Sequence, residues 1–164
     1  MPDFIIRPAK RSDLDAIYAV FSLADTLHRE AHPEIFQKAD DPAEIKDFLL
    51  LAVQSDDAAV LVAELNEGTS SSIIGAIIAR VRQTPDIPML VPRTYVSVDN
   101  LIVTEKYQHL GVGQTLMEKI QAWAQSLGLN SIHLTVWDFN QRALAFYEKL
   151  GYQMLHHHMR KELS

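Results

Sequence analysis

The apolar positions of this chain change period several times. Phe4 to Arg7 is a short strand-like run. Leu14, Ile17, Tyr18 and Phe21 then recur at helical spacing behind Ser12-Asp13-Leu14-Asp15, which reads as a capping box. A polar stretch with His28, Glu30, His32 and Pro33 leads to Asp41-Pro42-Ala43-Glu44, a cap, a first-turn proline and a capping carboxylate. The stripe Ile45, Phe48, Leu49 and Ala52 follows. Ala58 to Glu64 and Ser72 to Arg82 read as strands joined in hairpin fashion through Asn66 to Ser71. Pro85, Pro88 and Pro92 make the next segment a loop, because three prolines so close together cannot continue a sheet interior. Strand Tyr95 to Val103, helix Gly111 to Leu127, strand Ser131 to Trp137, helix Gln141 to Leu150 and strand Tyr152 to Glu162 complete the order βααβββαβαβ.

Hairpin-linked strands come first and helix-linked strands second. This predicts an α/β fold with a mixed sheet flanked by helices on both faces, antiparallel in its amino half and with parallel pairing in its carboxyl half. Ligands in such sheets sit at carboxyl ends of strands where the connection pattern changes, here near the end of Tyr95 to Val103. In that strand Val96 and Val98 alternate on one parity, and Leu101 and Val103 on the other. A phase slip at Asp99-Asn100 predicts a bulge in a central strand, a device that re-aims side chains beside active sites; the plainer alternative is a strand covered on both faces.

Composition narrows the function. A length of 164 residues with 48% apolar and 22% charged residues suits one globular domain spanning residues 1–164. Without cysteine there is no thiol nucleophile, zinc ribbon or disulfide scaffold. The formal charge of −6 gives no overall basic field for nucleic acid or anionic lipid and mildly favours a small cationic partner. No apolar run approaches the roughly 20 residues of a membrane span, and Met1 to Arg7 lacks a leader's apolar core, so neither nucleic acid nor membrane is an expected partner and a cytoplasmic location is.

The chemistry concentrates in Tyr107-Gln108-His109-Leu110-Gly111-Val112-Gly113-Gln114, a glycine turn opening a helix. Unpaired N–H groups of a first helical turn, with the helix dipole behind them, suit a phosphate, although a plain tight turn has the same composition. Gln114-Thr115 after Gly113 excludes a Gly-Lys-Ser/Thr nucleotide loop, and no third glycine completes a dinucleotide fingerprint.

Gln108 to Gly113 resembles the Gln/Arg-x-x-Gly-x-Gly/Ala signature of the GNAT superfamily of N-acetyltransferases. Asn140 to Tyr152 is similar to that superfamily's Asn-x-x-Ala-x-x-Phe-Tyr-x-x-x-Gly-Phe/Tyr element. The resemblance implies acetyl-CoA as cosubstrate, with the amides of Gln108, His109, Leu110, Gly111, Val112, Gly113 and Gln114 on its pyrophosphate. It also implies backbone groups of Leu101, Ile102 and Val103 along the pantetheine arm, a Val103 N–H on the acyl carbonyl, a coenzyme contact from Asn140 and Tyr147 facing the thioester sulfur. The reaction implied is direct attack by a primary amine in a ternary complex. Family members are often dimers, so a homodimer is open.

Such a reaction needs a base for an ammonium with a pKa near ~10.4 and an acid for a thiolate near ~8.5. Asp99 aligns with a position that is often Glu in the family and is the candidate base, directly or through water. Tyr147 is the candidate acid, yet Ala143, Phe146, Tyr147 and Leu150 also form an ordinary buried stripe, and Asn140 also suits a helix cap. His28 and His32 lie where the family builds its acceptor side and either line the substrate pocket or are solvated. His156-His157-His158 lacks a completing ligand, so no metal site is expected. The alternative to an enzyme is a catalytically silent acyl-CoA-binding sensor or interaction domain of the same fold.

Overall fold

The computed structural model describes residues 3–164. In chain order it contains β1 (Phe4–Pro8), α1 (Leu14–Ala31), α2 (Pro42–Gln54), β2 (Ala58–Glu67), β3 (Ser70–Gln83), β4 (Thr94–Val103), α3 (Val112–Ser126), β5 (Ile132–Leu134) and α4 (Gln141–Lys149), with single 3-10 turns at Arg11–Asp13 and Glu105–Tyr107. The five strands form one sheet in the order β1-β2-β3-β4-β5. The first four are antiparallel neighbours, and β5 joins β4 in parallel, as the connection pattern predicts. Met1 and Pro2, which open the amino-terminal reading, lie outside the described residues.

Each face of the sheet carries two helices. On one, Ile17 and Phe21 of α1 and Leu49 and Ala52 of α2 cover Val60, Val62, Ala76 and Ile78. On the other, Val112, Leu116 and Ile120 of α3 cover Ile77, Ala79, Val96 and Val98, with Phe146, Tyr147 and Leu150 of α4 at the margin. Burying a Leu or Ile side chain contributes roughly 1.5–3 kcal/mol, and both faces hold fully buried ones, Ile17, Leu49 and Ile78 on the first and Ile77, Leu116 and Ile120 on the second.

Several local expectations are corrected. The strand expected over Tyr152 to Glu162 does not form; from Tyr152 onward the chain belongs to no element. The expected strand Ser131 to Trp137 shortens to three paired residues, because the chain leaves β4 after Leu134. His28 and Glu30 lie within α1 rather than in a connecting stretch. Phe48 is 52% exposed instead of joining the α2 stripe; its ring lies 4.7 Å from the Arg80 guanidinium carbon.

The cap before α1 is built by Asp13 instead of Ser12. Its carboxylate accepts from the Lys10 N–H at 2.7 Å and from Arg7 Nη1 at 2.7 Å and Nη2 at 3.0 Å. Arg7 also binds Glu64, tying β1 and β2 to the start of α1. The guanidinium holds the Asp13 carboxyl below its ordinary range and more than offsets the partial burial that would raise it. The Asp41 cap of α2 forms as expected, Oδ1 accepting from the Ala43 N–H at 2.8 Å.

Candidate active site

The bulge read at Asp99-Asn100 is present. Ala79 pairs with Val98 and Ile78 with Asn100, so Asp99 is the extra residue of β4. The slip reverses which peptide groups face β5. Before it, the Val96 N–H points to β5 and donates to Ser131 at 3.0 Å. Beyond it, the Thr104 N–H donates to Ile74 of β3 at 2.9 Å, so strand alternation turns the peptide groups of Leu101 and Val103 the opposite way, toward the β5 side. Pairing with β5 covers only Val96–Val98. Leu101 and Val103 therefore face a cleft between diverging strands, while Ile102 turns its peptide groups to β3.

Gln108 occupies one group of that edge. Its Nε2 donates to the Val103 carbonyl at 2.7 Å, and its buried Oε1 has no partner within the described residues. What stays free on the edge, among the described residues, is the Leu101 N–H, the Leu101 carbonyl and the Val103 N–H. Gly75 lets β3 lie close behind it; a Cβ there would stand 3.0 Å from the Ile102 carbonyl oxygen.

The glycine loop leads from this edge into α3. Gly111 takes φ +82° at the helix N-cap, a left-handed conformation that costs other L-residues roughly 1–2 kcal/mol, and His109 is also left-handed at φ +66°. No side chain caps α3, so the N–H groups of Val112, Gly113 and Gln114 project from its end with the helix dipole behind them. Gly113 is helical, and a Cβ on it would make ordinary contacts of 3.4 Å with Phe146 and 3.7 Å with Val103. Space for alanine there agrees with the Gly/Ala alternative of the signature.

The sequence reading did not single out Arg142. Its Nη2 meets His109 Nε2, placing a guanidinium from the first turn of α4 beside the left-handed loop. A cation in the first turn after Asn140 and a glycine loop suited to phosphate are both visible in the sequence, but the contact that joins them spans 33 residues. Asn140 caps α4, its Oδ1 accepting from the Ala143 N–H at 3.1 Å. Leu110 lies in the turn before α3.

Tyr147 packs at the edge of the α3-face core, 5.1 Å from the Phe146 ring and 5.6 Å from Tyr152 between centroids. Its hydroxyl forms no hydrogen bond within the described residues, and burial, with a smaller contribution from Tyr152, pushes its pKa up to about 12. Tyr147 is thus both a core ring and a protonated donor. Asp99 stands on the opposite face. Its Oδ2 accepts from Arg80 Nε at 2.9 Å, with Arg82 Nη2 at 3.6 Å, and its Oδ1 from the Ser97 hydroxyl at 3.1 Å.

His28 and His32 come together in an aromatic cluster that periodicity could not show. The His28 ring lies 5.1 Å from Phe36 and 5.5 Å from Phe139; the His32 ring lies 5.3 Å from Trp137 and 5.6 Å from Phe139. His28 Nδ1 also contacts the Ala24 carbonyl at 2.8 Å. His32 Nδ1 is 3.2 Å from Glu34, and its Nε2 is 4.0 Å from Asp138. The cluster joins the end of α1 to the connection after β5, on the side of the sheet that carries Asp99. Among the described residues no group of three or more His, Cys, Asp or Glu could hold a metal, and no helix is long and apolar enough to cross a membrane.

The family model described as Acetyltransferase (GNAT) family matches residues 20–152, from within α1 through α4. The chain belongs to this family. Among solved GNAT-like structures, a single-site mutant of the BH1408 protein of Bacillus halodurans is 27% identical, with a TM-score of 0.85 over 98% of this chain and 99% of that one. An aminoglycoside N-acetyltransferase, AAC(6')-Iy, in complex with CoA shares the fold at a TM-score of 0.74, with 14% identity over 99% of this chain and 96% of that one. An L-ornithine N5-acetyltransferase of Arabidopsis thaliana is 27% identical over 70 residues, 43% of this chain and 31% of that enzyme. The chain thus spans about a third of the length of that curated relative.

Proposed function

We propose that this GNAT protein is an N-acetyltransferase that moves an acetyl group from acetyl-CoA to a primary amine by direct attack in a ternary complex. One observation carries the reading: beyond Asp99 a free strand edge runs directly into an uncapped helix N-terminus. The edge offers donor, acceptor and donor in sequence, the set a peptide-like arm needs in order to add as a strand. The end of α3 offers three N–H groups and a dipole to a pyrophosphate, with Arg142 adding charge in a chain of net charge −6.

Bound acetyl-CoA would supply the activated acyl thioester. Leu101 and Val103 would align the arm, the Val103 N–H polarising the acyl carbonyl, and residues 108–114 would hold the pyrophosphate; Asn140 fixes the start of α4 and thereby Tyr147. Proton transfer from a hydroxyl with a pKa of about 12 to a thiolate near ~8.5 is uphill by about 5 kcal/mol. Tyr147 would therefore act chiefly as a hydrogen-bond donor to the departing sulfur. Asp99 would take the amine's proton through water, from the opposite face. His28 and His32, with Trp137 and Phe139, would line the acceptor side, and nearby Glu34 and Asp138 favour a cationic amine.

Calorimetric titration with acetyl-CoA tests the reading first. Micromolar binding is expected, weakened at least about tenfold in Gly111→Val, whose β-branched side chain opposes the left-handed conformation. Release of thiol with an amine panel should follow, with no background from a chain that lacks cysteine. Absence of binding by folded protein overturns the proposal. Binding without turnover on any amine identifies a silent acyl-CoA-binding domain.

A further inference from the structure

Phe36, Trp137 and Phe139 pack into neither of the two cores that the sheet separates. Each is half-buried, as are His28 and His32 beside them. The five rings touch in a closed circuit. His28 meets Phe36 at 5.1 Å, Phe36 meets Trp137 at 5.0 Å, Trp137 meets His32 at 5.3 Å, His32 meets Phe139 at 5.6 Å and Phe139 meets His28 at 5.5 Å. Among the described residues no two of these rings pack across the circuit.

The ring planes turn by 60°, 74°, 45°, 60° and 83° at the successive contacts, and roughly 72° is the turn between neighbouring walls of a regular pentagon. Steep turns at every contact make walls, not a stack. Five centroids joined in this way lie on average no more than about 4.5 Å from their common centre, inside the roughly 6 Å over which a ring face attracts a cation. The circuit joins the end of α1 to the connection after β5, so two separate parts of the fold hold it in shape.

Which cation suits these walls follows from the acceptors at the rim. A primary ammonium carries three N–H donors that each need an acceptor once it leaves water, and ring faces supply none. Glu34 is already engaged, accepting from Arg160 Nη2 at 2.7 Å and lying 3.2 Å from His32 Nδ1. Asp138 stands between Trp137 and Phe139 in the sequence, but its side chain is 94% exposed, so it adds negative charge outside the rings. A quaternary ammonium has no N–H to satisfy and presents methyl groups to the ring faces, which makes it the cation that loses least on entering.

We propose that the five rings form a cage for a quaternary ammonium group. Resting on the acetyltransferase reading, that group is the end of the acceptor that does not react, since its nitrogen has neither a proton nor a lone pair. The acceptor then carries a primary amine at its other end. That nitrogen forms the amide bond as the C–S bond of the thioester breaks, and the proton it gives up balances the thiol that leaves.

Calorimetric titration of the full chain with choline tests the cage apart from any turnover. Saturable binding is expected, at least about tenfold tighter than that of the neutral isostere in which a quaternary carbon replaces the nitrogen, because the isostere keeps the shape and loses the charge. Phe139→Leu should weaken choline at least about tenfold, whereas Phe139→Tyr keeps a ring face and should stay within about twofold of wild type. Asp138→Lys, at a position too exposed to disturb folding, should weaken it about threefold. In turnover, ω-aminoalkyl trimethylammonium ions should show a KM at least about tenfold below that of their carbon isosteres. Absence of saturable choline binding, equal binding of choline and its isostere, or a Phe139→Leu protein that binds choline as wild type does overturns the cage. Acetylation of primary amines with no preference for the quaternary series overturns its role toward the acceptor and leaves the acetyltransferase reading standing. Choline binding by a protein that acetylates no amine keeps the cage and overturns that reading.

Discussion

From Thr94 to Val98, β4 is held on both sides, by β3 along its length and by β5 at Val96–Val98; from Asp99 to Val103 it is held by β3 alone. Side chains in the first half are spent on packing, with Val96 fully buried, whereas Leu101, Ile102 and Val103 are half-buried and line a cleft. One inserted residue separates the two. Within a single strand, a backbone whose hydrogen bonds are complete is a structural part, and a backbone with a spare edge is a place for a ligand.

The largest expected effect tests whether the open half is catalytic. Tyr147→Phe removes the unpaired hydroxyl while keeping the ring in the core, and should lower kcat by roughly a hundredfold, the lower end of what one hydrogen-bond donor to developing charge contributes. The KM for acetyl-CoA should stay within about twofold, since the variant removes a group needed at the departing sulfur and not in binding. Steady-state kinetics decide it, and a wild-type kcat removes Tyr147 from the chemistry.

A middle-sized effect closes the distinction between the halves from behind. In Gly75→Ala the new methyl meets the Ile102 carbonyl at 3.0 Å and must push β4 toward the cleft. Stability should fall by about 1–3 kcal/mol and acetyl-CoA binding should weaken with it. Thermal melts and titration calorimetry on the same samples measure both. Lost stability with unchanged binding would mean that the open edge tolerates movement.

The smallest effect lies far from the cleft and sharpens the comparison by leaving it alone. The folded-state pKa of Asp13 is depressed by Arg7, so its stabilisation is complete above the unfolded value near ~3.9 and is lost as pH falls through the folded value. Asp13→Asn should lower Tm modestly at neutral pH, the difference from wild type shrinking below about pH 4. Coenzyme affinity at neutral pH should be untouched. A Tm difference that is constant from pH 7 to pH 3 would show that the Asp13 charge contributes nothing.

Much of this was legible beforehand where the signal is local. The parity change between Val98 and Leu101 reported the bulge, because side-chain alternation has a period of two and one inserted residue must invert it. The Asp41-Pro42 start of α2 and the glycine turn before α3 were equally plain. Tyr147 could not be divided between core and chemistry by spacing alone, since a helical stripe looks the same in either case; its unpaired hydroxyl at the core margin is a tertiary observation. The tail misled for a related reason. Its alternation is that of a strand, but a strand exists only where another edge receives it, and no strand among the described residues pairs with Tyr152–Glu162.

By itself the sequence determined the order of elements as far as α4, the mixed sheet, the glycine-opened helix and the inserted residue of β4, because caps, left-handed turns and side-chain periods act over a few neighbouring residues. Only the tertiary structure decided which peptide groups of β4 remain free, that Gln108 takes the Val103 carbonyl, that Arg142 reaches His109 and that the rings of His28 and His32 gather on Trp137 and Phe139. Those outcomes depend on contacts between distant positions, as far apart as the 126 residues between Glu34 and Arg160, and no local pattern encodes which of many possible neighbours is left unpaired.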